Sequence, residues 1–114
     1  MTVTVWFNPA CSKCRAVKAL LEDRGIEANY RLYLEQAPSV EEIEDLLSKL
    51  GDPEARQLLR MKDAVFAELN LAEATPASRI EASCATPSLL NRPIVVCGER
   101  AIVARPPELA LEVL

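Results

Sequence analysis

The chain holds four cysteines and no histidine, and two of the cysteines stand one helical turn apart in Cys11-Ser12-Lys13-Cys14. Without histidine there is no Ser–His or Cys–His catalytic pair and no His-ligated metal. A nucleophile, acid or base must then be a thiol, carboxylate, amine, phenol or hydroxyl. The pair falls where a strand-forming run gives way to a helix-forming one. The free N–H groups and the dipole of the helix N-terminus favour a thiolate at Cys11, and Lys13 and Arg15 add positive charge. Cys14, one turn on, is close enough to close a disulfide with Cys11 as a resolving thiol, and it is equally suited to packing as a small apolar side chain. Cys84 and Cys97 are too far apart for a second metal-binding pair, so zinc is not expected and both read as structural.

A thiol that acts on an oxyanion needs fixed cationic forks, which arginine supplies bidentately. Arg60 closes Leu58-Leu59-Arg60, Arg92 precedes Pro93, and Arg105 precedes Pro106. All three fall at the edges of expected elements, where side chains can converge on a site. Spacing alone does not separate them from solvated surface charges. Pro93, opening a strand, is a candidate cis proline.

The rest of the composition narrows the field. Seventeen acidic against thirteen basic residues give a net charge of −4, a field that repels polyanions, and the few aromatics make no base-stacking platform. Nucleic acid is therefore not an expected partner. No apolar run reaches membrane-spanning length, and the first ten residues lack the layout of a signal peptide. The expected location is the cytoplasm, where four cysteines suggest redox chemistry rather than structural disulfides.

The elements that must position these residues follow from periodicity. Thr2–Phe7 alternates and reads as a strand; Ser12–Arg24 has Ala16, Val17, Leu20 and Leu21 at helical spacing, with Gly25 past its end; Glu27–Leu32 reads as a second, parallel strand. Ser39 and Glu42 make a capping box for a helix whose stripe is Val40, Ile43, Leu46, Leu47 and Leu50, ended by Gly51. Pro53–Leu71 reads as one or two short helices with Asp63 as a cap. Thr75-Pro76 opens another helix, ending near Ala85. Pro93–Cys97 and Ala101–Ala104 read as an antiparallel hairpin, and Pro106-Pro107-Glu108 starts a last helix carrying Leu109, Leu111, Val113 and Leu114. The expectation is one α/β domain over 1–114, thioredoxin-like, with a helical insert at about 39–85. Its order, βαβ, insert, ββα, gives a mixed four-stranded sheet flanked by helices.

Asn8-Pro9-Ala10-Cys11, Leu58-Leu59-Arg60, Leu90-Asn91-Arg92-Pro93-Ile94-Val95-Val96 and Ala104-Arg105-Pro106-Pro107-Glu108 occur in an order that resembles the thioredoxin-fold arsenate reductases of the glutaredoxin-coupled class. The resemblance implies a catalytic thiolate at Cys11, an arsenate pocket of Asn8, Arg60, Arg92 and Arg105, and a cis Arg92–Pro93 bond. It further implies reduction of arsenate to arsenite through a covalent arseno-cysteine with no bound cofactor or metal; the expected state is a monomer. Electrons would come from glutathione and glutaredoxin or, using Cys14, from thioredoxin. Three departures mark this chain. Phe7 stands where relatives often have histidine, Ser12-Lys13-Cys14-Arg15 replaces their Gly-Thr-Ser-Arg, and a longer C-terminal tail is missing. The Cys-x-x-Cys pair also resembles Spx-type thiol-redox regulators that bind RNA polymerase, in which Arg105 has no evident role.

Overall fold

The computed structural model describes residues 2–114, arranged as two compact units. One runs through Gln36 and resumes at Arg92–Leu114; the other is Ala37–Asn91.

The first unit contains β1 (Val3–Trp6), α1 (Ser12–Asp23), β2 (Asn29–Arg31), β3 (Ile94–Cys97) and β4 (Arg100–Val103). The strands form one mixed sheet in the order β2-β1-β3-β4. β1 is parallel to β2 and antiparallel to β3, and β3 is antiparallel to β4. The topology follows from connection lengths. A parallel pair needs a crossover, which α1 supplies, whereas Gly98-Glu99 is a two-residue hairpin with Gly98 at a φ of +61°, the conformation that tight hairpin turns require. β1 and β2 are shorter than the period-two pattern suggested because only Asn29, Tyr30 and Arg31 find partners across from Thr4, Val5 and Trp6.

One face of the sheet carries this unit's core. Val3 and Val5 of β1, Val95 and Cys97 of β3, and Cys14, Val17 and Leu21 of α1 pack with Ala110 and Val113. Burial of each larger apolar side chain contributes about 1.5–3 kcal/mol. The helix is rotated relative to the expected stripe. Ala16 is exposed and Leu20 half-buried, while Cys14 is fully enclosed, so the inner face is 14-17-21. The chain end also differs, since Pro107–Val113 is a 3₁₀ helix. Its buried residues, Ala110 and Val113, are therefore three apart, and Leu114 is exposed.

The second unit holds α2 (Val40–Leu50), α3 (Ala64–Glu68) and α4 (Pro76–Ala85). The Ser39 hydroxyl accepts from the Glu42 N–H at 3.2 Å, and the Glu42 carboxylate accepts from the Ser39 N–H at 3.1 Å, the reciprocal capping box expected. Ile43, Leu46 and Leu47 form the buried stripe. Val40 is exposed and Leu50 half-buried, which narrows it from the expected five. Asp63 caps α3, and Thr75 caps α4 with Pro76 in its first turn. Cys84 lies within α4.

Residues 53–63, expected to be partly helical, are not. The buried Asp52 carboxylate accepts from the backbone N–H groups of Arg56, Gln57 and Leu58 at 3.0, 2.7 and 3.1 Å, and Ala55 takes a φ of +56°. A carboxylate that captures three successive N–H groups removes the donors a helix would use. Arg79, 3% exposed, reaches from α4 into the same unit. Its Nε, Nη1 and Nη2 donate to the carbonyls of Leu71, Glu54 and Ala72 at 2.9, 2.7 and 3.0 Å.

Candidate active site

Between β1 and α1 the chain must turn within five residues and deliver Cys11 to the helix start. Asn8 shapes that turn. Its Oδ1 accepts from the Ala10 N–H at 3.0 Å, and its carbonyl accepts from the Cys11 N–H at 2.9 Å, an arrangement Asn favours. Cys11 is then the N-cap of α1, with extended backbone, and its sulfur faces the unsatisfied N–H groups of the first turn.

Burial pushes the Cys11 thiol up, but the N–H groups of Cys14 and Lys13, the Cys14 thiol and the Arg92 charge together bring it below the ordinary thiol range. Lys13 acts through its backbone. The side-chain charges of Lys13 and Arg15, expected from sequence to help, do not supply this shift; both are exposed, and Arg15 Nη1 donates to the Pro9 carbonyl at 3.2 Å. Cys14 goes the other way. Burial, aided by the nearby Cys11 sulfur and only partly offset by the Asn8 N–H, pushes it up to about 11. That N–H reaches the Cys14 sulfur at 3.5 Å. Of the pair, Cys11 therefore gives up its proton first and is the nucleophilic member. All four cysteines are outside disulfides.

Arg92 of this unit acts on the pair, and Arg105 contacts Arg92. Arg92 and Arg105 precede prolines through cis peptide bonds; the first was expected and the second was not. The Ala104 N–H donates to the Pro93 carbonyl at 2.9 Å, and Arg105 Nη1 donates to the Arg92 carbonyl at 3.2 Å, so the two segments lie side by side. Arg92 Nε and Nη1 are buried without a hydrogen-bond partner. A cation with desolvated, unused donors beside a thiolate is suited to receive an oxyanion.

Arg60 belongs to the second unit. Its N–H donates to the Leu89 carbonyl at 2.7 Å, and its Nη1 meets Asp63 Oδ2 at 3.2 Å, leaving the Nε–Nη2 edge for a further acceptor. Asn91 holds the segment. Its backbone N–H donates to the Leu58 carbonyl at 2.7 Å, and its Nδ2 donates to the Gln57 and Leu59 carbonyls at 2.7 and 3.2 Å. Sequence reasoning missed Asp63 as the partner of Arg60 and Asn91 as its brace; Asp63 could have been found from its place three residues on, whereas Asn91 is remote in sequence from the carbonyls it holds.

The ArsC family model matches residues 6–113. The chain belongs to the ArsC family. Within it, this member is 40% identical to the arsenate reductase of Haemophilus influenzae, over the full length of both chains. It is also 40% identical to that of Neisseria meningitidis, over 93% of this chain and 92% of the relative. A solved arsenate reductase from Vibrio cholerae, 43% identical, superposes with a TM-score of 0.95 over 100% of this ArsC chain and 98% of the other. Among the described residues no cluster of three His, Cys, Asp or Glu side chains could hold a metal, and no helix is long and apolar enough to cross a membrane.

Proposed function

We propose that this chain is an arsenate reductase, one domain with a helical insert at about 39–85, working as a cytoplasmic monomer. The observation that carries the reading is the Arg92 guanidinium, with two buried unpartnered donors, acting on a Cys11 thiolate at a helix N-terminus. Full-length relatives that carry the name arsenate reductase give the oxyanion its identity.

The Cys11 thiolate attacks arsenic(V), with Asn8, Arg60, Arg92 and Arg105 as the oxyanion ligands. A sulfur–arsenic bond forms, and one arsenate oxygen leaves as water after protonation. A second thiol then attacks the Cys11 sulfur. A disulfide forms, the sulfur–arsenic electron pair stays on arsenic, and arsenite departs. Cys14, whose sulfur neighbours that of Cys11, is the internal candidate for that second thiol, with thioredoxin restoring the dithiol; glutathione with glutaredoxin is the external route. The Spx-type reading assigns no part to the contact between Arg105 and Arg92.

The test is arsenite formation from arsenate with glutathione and glutaredoxin and, separately, with thioredoxin and its reductase. Turnover in either system, abolished in Cys11→Ser, is the expected result. Inactivity in both, together with capture of RNA polymerase, would replace the enzyme reading with the regulator. Loss of only the thioredoxin-driven rate in Cys14→Ser marks the internal route.

A further inference from the structure

The charge around Cys11 runs against that of the chain. Residues 2–21 contain no carboxylate and three cations, Lys13, Arg15 and Lys18, in a protein of net charge −4. All three are exposed. The first turn of α1 has no acidic residue, and Arg15 is folded back onto the loop before Cys11 through the Pro9 carbonyl at 3.2 Å. Arg105 is exposed in the same unit. The side chains of Lys13 and Arg15 have no part in the thiolate's stabilisation or in the reaction steps above. Cys14 is fully enclosed and Cys11 is 9% exposed, so of the two an external thiol meets Cys11, two residues before Lys13 and four before Arg15.

We propose that the rim formed by Lys13 and Arg15 docks a dithiol redox protein whose cysteine-bearing face is acidic, and that it aims that partner's thiolate at Cys11. Opposite charge local to a site raises encounter rates and fixes orientation even where the net charges of two proteins repel. The proposal rests on the reading that Cys11 is regenerated by thiol exchange. The partner's thiolate attacks the Cys11 sulfur of a disulfide. A partner–Cys11 bond forms, and the thiol formerly bound to Cys11 leaves with a proton from solvent. The partner's second thiolate then attacks its own bridging sulfur, freeing the Cys11 thiolate. The partner dithiol supplies both electrons and ends as a disulfide.

The experiment needs neither arsenate nor Cys14. In a Cys14→Ala background, Cys11 is converted to its methylthio disulfide with methyl methanethiosulfonate. Release of the methylthio group is followed by mass spectrometry with reduced thioredoxin, with reduced glutaredoxin, and with dithiothreitol, a small uncharged dithiol. In Lys13→Gln/Arg15→Gln, release by at least one protein donor is expected to slow about tenfold at low ionic strength. That difference should close near 1 M salt, where the Debye length is about 3 Å. Dithiothreitol should stay within about twofold, the margin that separates docking from a change in the leaving thiol. Equal slowing with dithiothreitol, or no slowing with either protein, overturns the proposal. A wild type that exchanges normally but makes no arsenite would overturn the substrate reading and leave the docking result standing.

Discussion

Two guanidinium groups, one in each unit, have enclosed nitrogens, and they are built for opposite purposes. Arg79, in the insert, donates from all three of its nitrogens to backbone carbonyls. Arg92, in the sheet unit, has Nε and Nη1 buried with no partner. A saturated buried cation stabilises the loops it ties together. One with unused donors is a cost to the fold that an incoming anion would offset. Arg60, in the insert, has its Nη1 on Asp63 Oδ2 at 3.2 Å.

Substitutions can break that contrast. Arg92→Ala is expected to lower kcat/KM for arsenate by about 10²–10³, the loss typical of removing one preorganised oxyanion donor, with little change in thermal stability. Arg79→Ala should do the reverse, unfolding at lower denaturant by about 3 kcal/mol because three carbonyls lose a charged donor. A stable Arg79 variant, or an unstable but active Arg92 variant, would remove the distinction.

A smaller effect is expected at Asp63. Asp63→Asn keeps an effective cap on α3 while removing the charge beside Arg60, so steady-state kinetics should give a kcat lowered about threefold to tenfold with unchanged stability. An unchanged kcat would show that Arg60 needs no counter-ion to hold it. The smallest change is in Ser39→Ala, whose lost capping box should cost about 1 kcal/mol in denaturant unfolding and leave the arsenate kinetics untouched.

Much of the sheet unit was legible in the sequence because its signals are local. Alternation in β1, the Gly98 turn and the proline before β3 each act within a few residues. The Ser39/Glu42 capping box and Thr75-Pro76 were legible for the same reason. The segment 53–63 was not, since its path is set by Asp52 capturing three N–H groups, a choice of partner that periodicity does not record. The inner face of α1 was misjudged, with Ala16 exposed and Leu20 half-buried, because Cys14 serves as a core residue as well as a chemical one. In the candidate site the cysteines and arginines could be named from type and order, whereas their states could not. Which sulfur carries the proton depends on burial and on the N–H groups each faces, and which arginine is saturated depends on carbonyls remote in sequence.

The most direct measurement is the rate of iodoacetamide labelling at Cys11, resolved by peptide mass spectrometry, as a function of pH with and without arsenate. The thiolate is the reacting form, so the rate rises with pH and levels off above the thiol's pKa. With the Cys11 thiol held below the ordinary range and Cys14 pushed up to about 11, labelling at Cys11 should reach half its maximum at a lower pH than for an ordinary thiol, while Cys14 stays unlabelled at neutral pH. Arsenate should slow the Cys11 reaction, and Arg92→Ala should both raise its midpoint and abolish that protection. A Cys11 that titrates as an ordinary thiol and is labelled equally fast in the presence of arsenate would contradict the account.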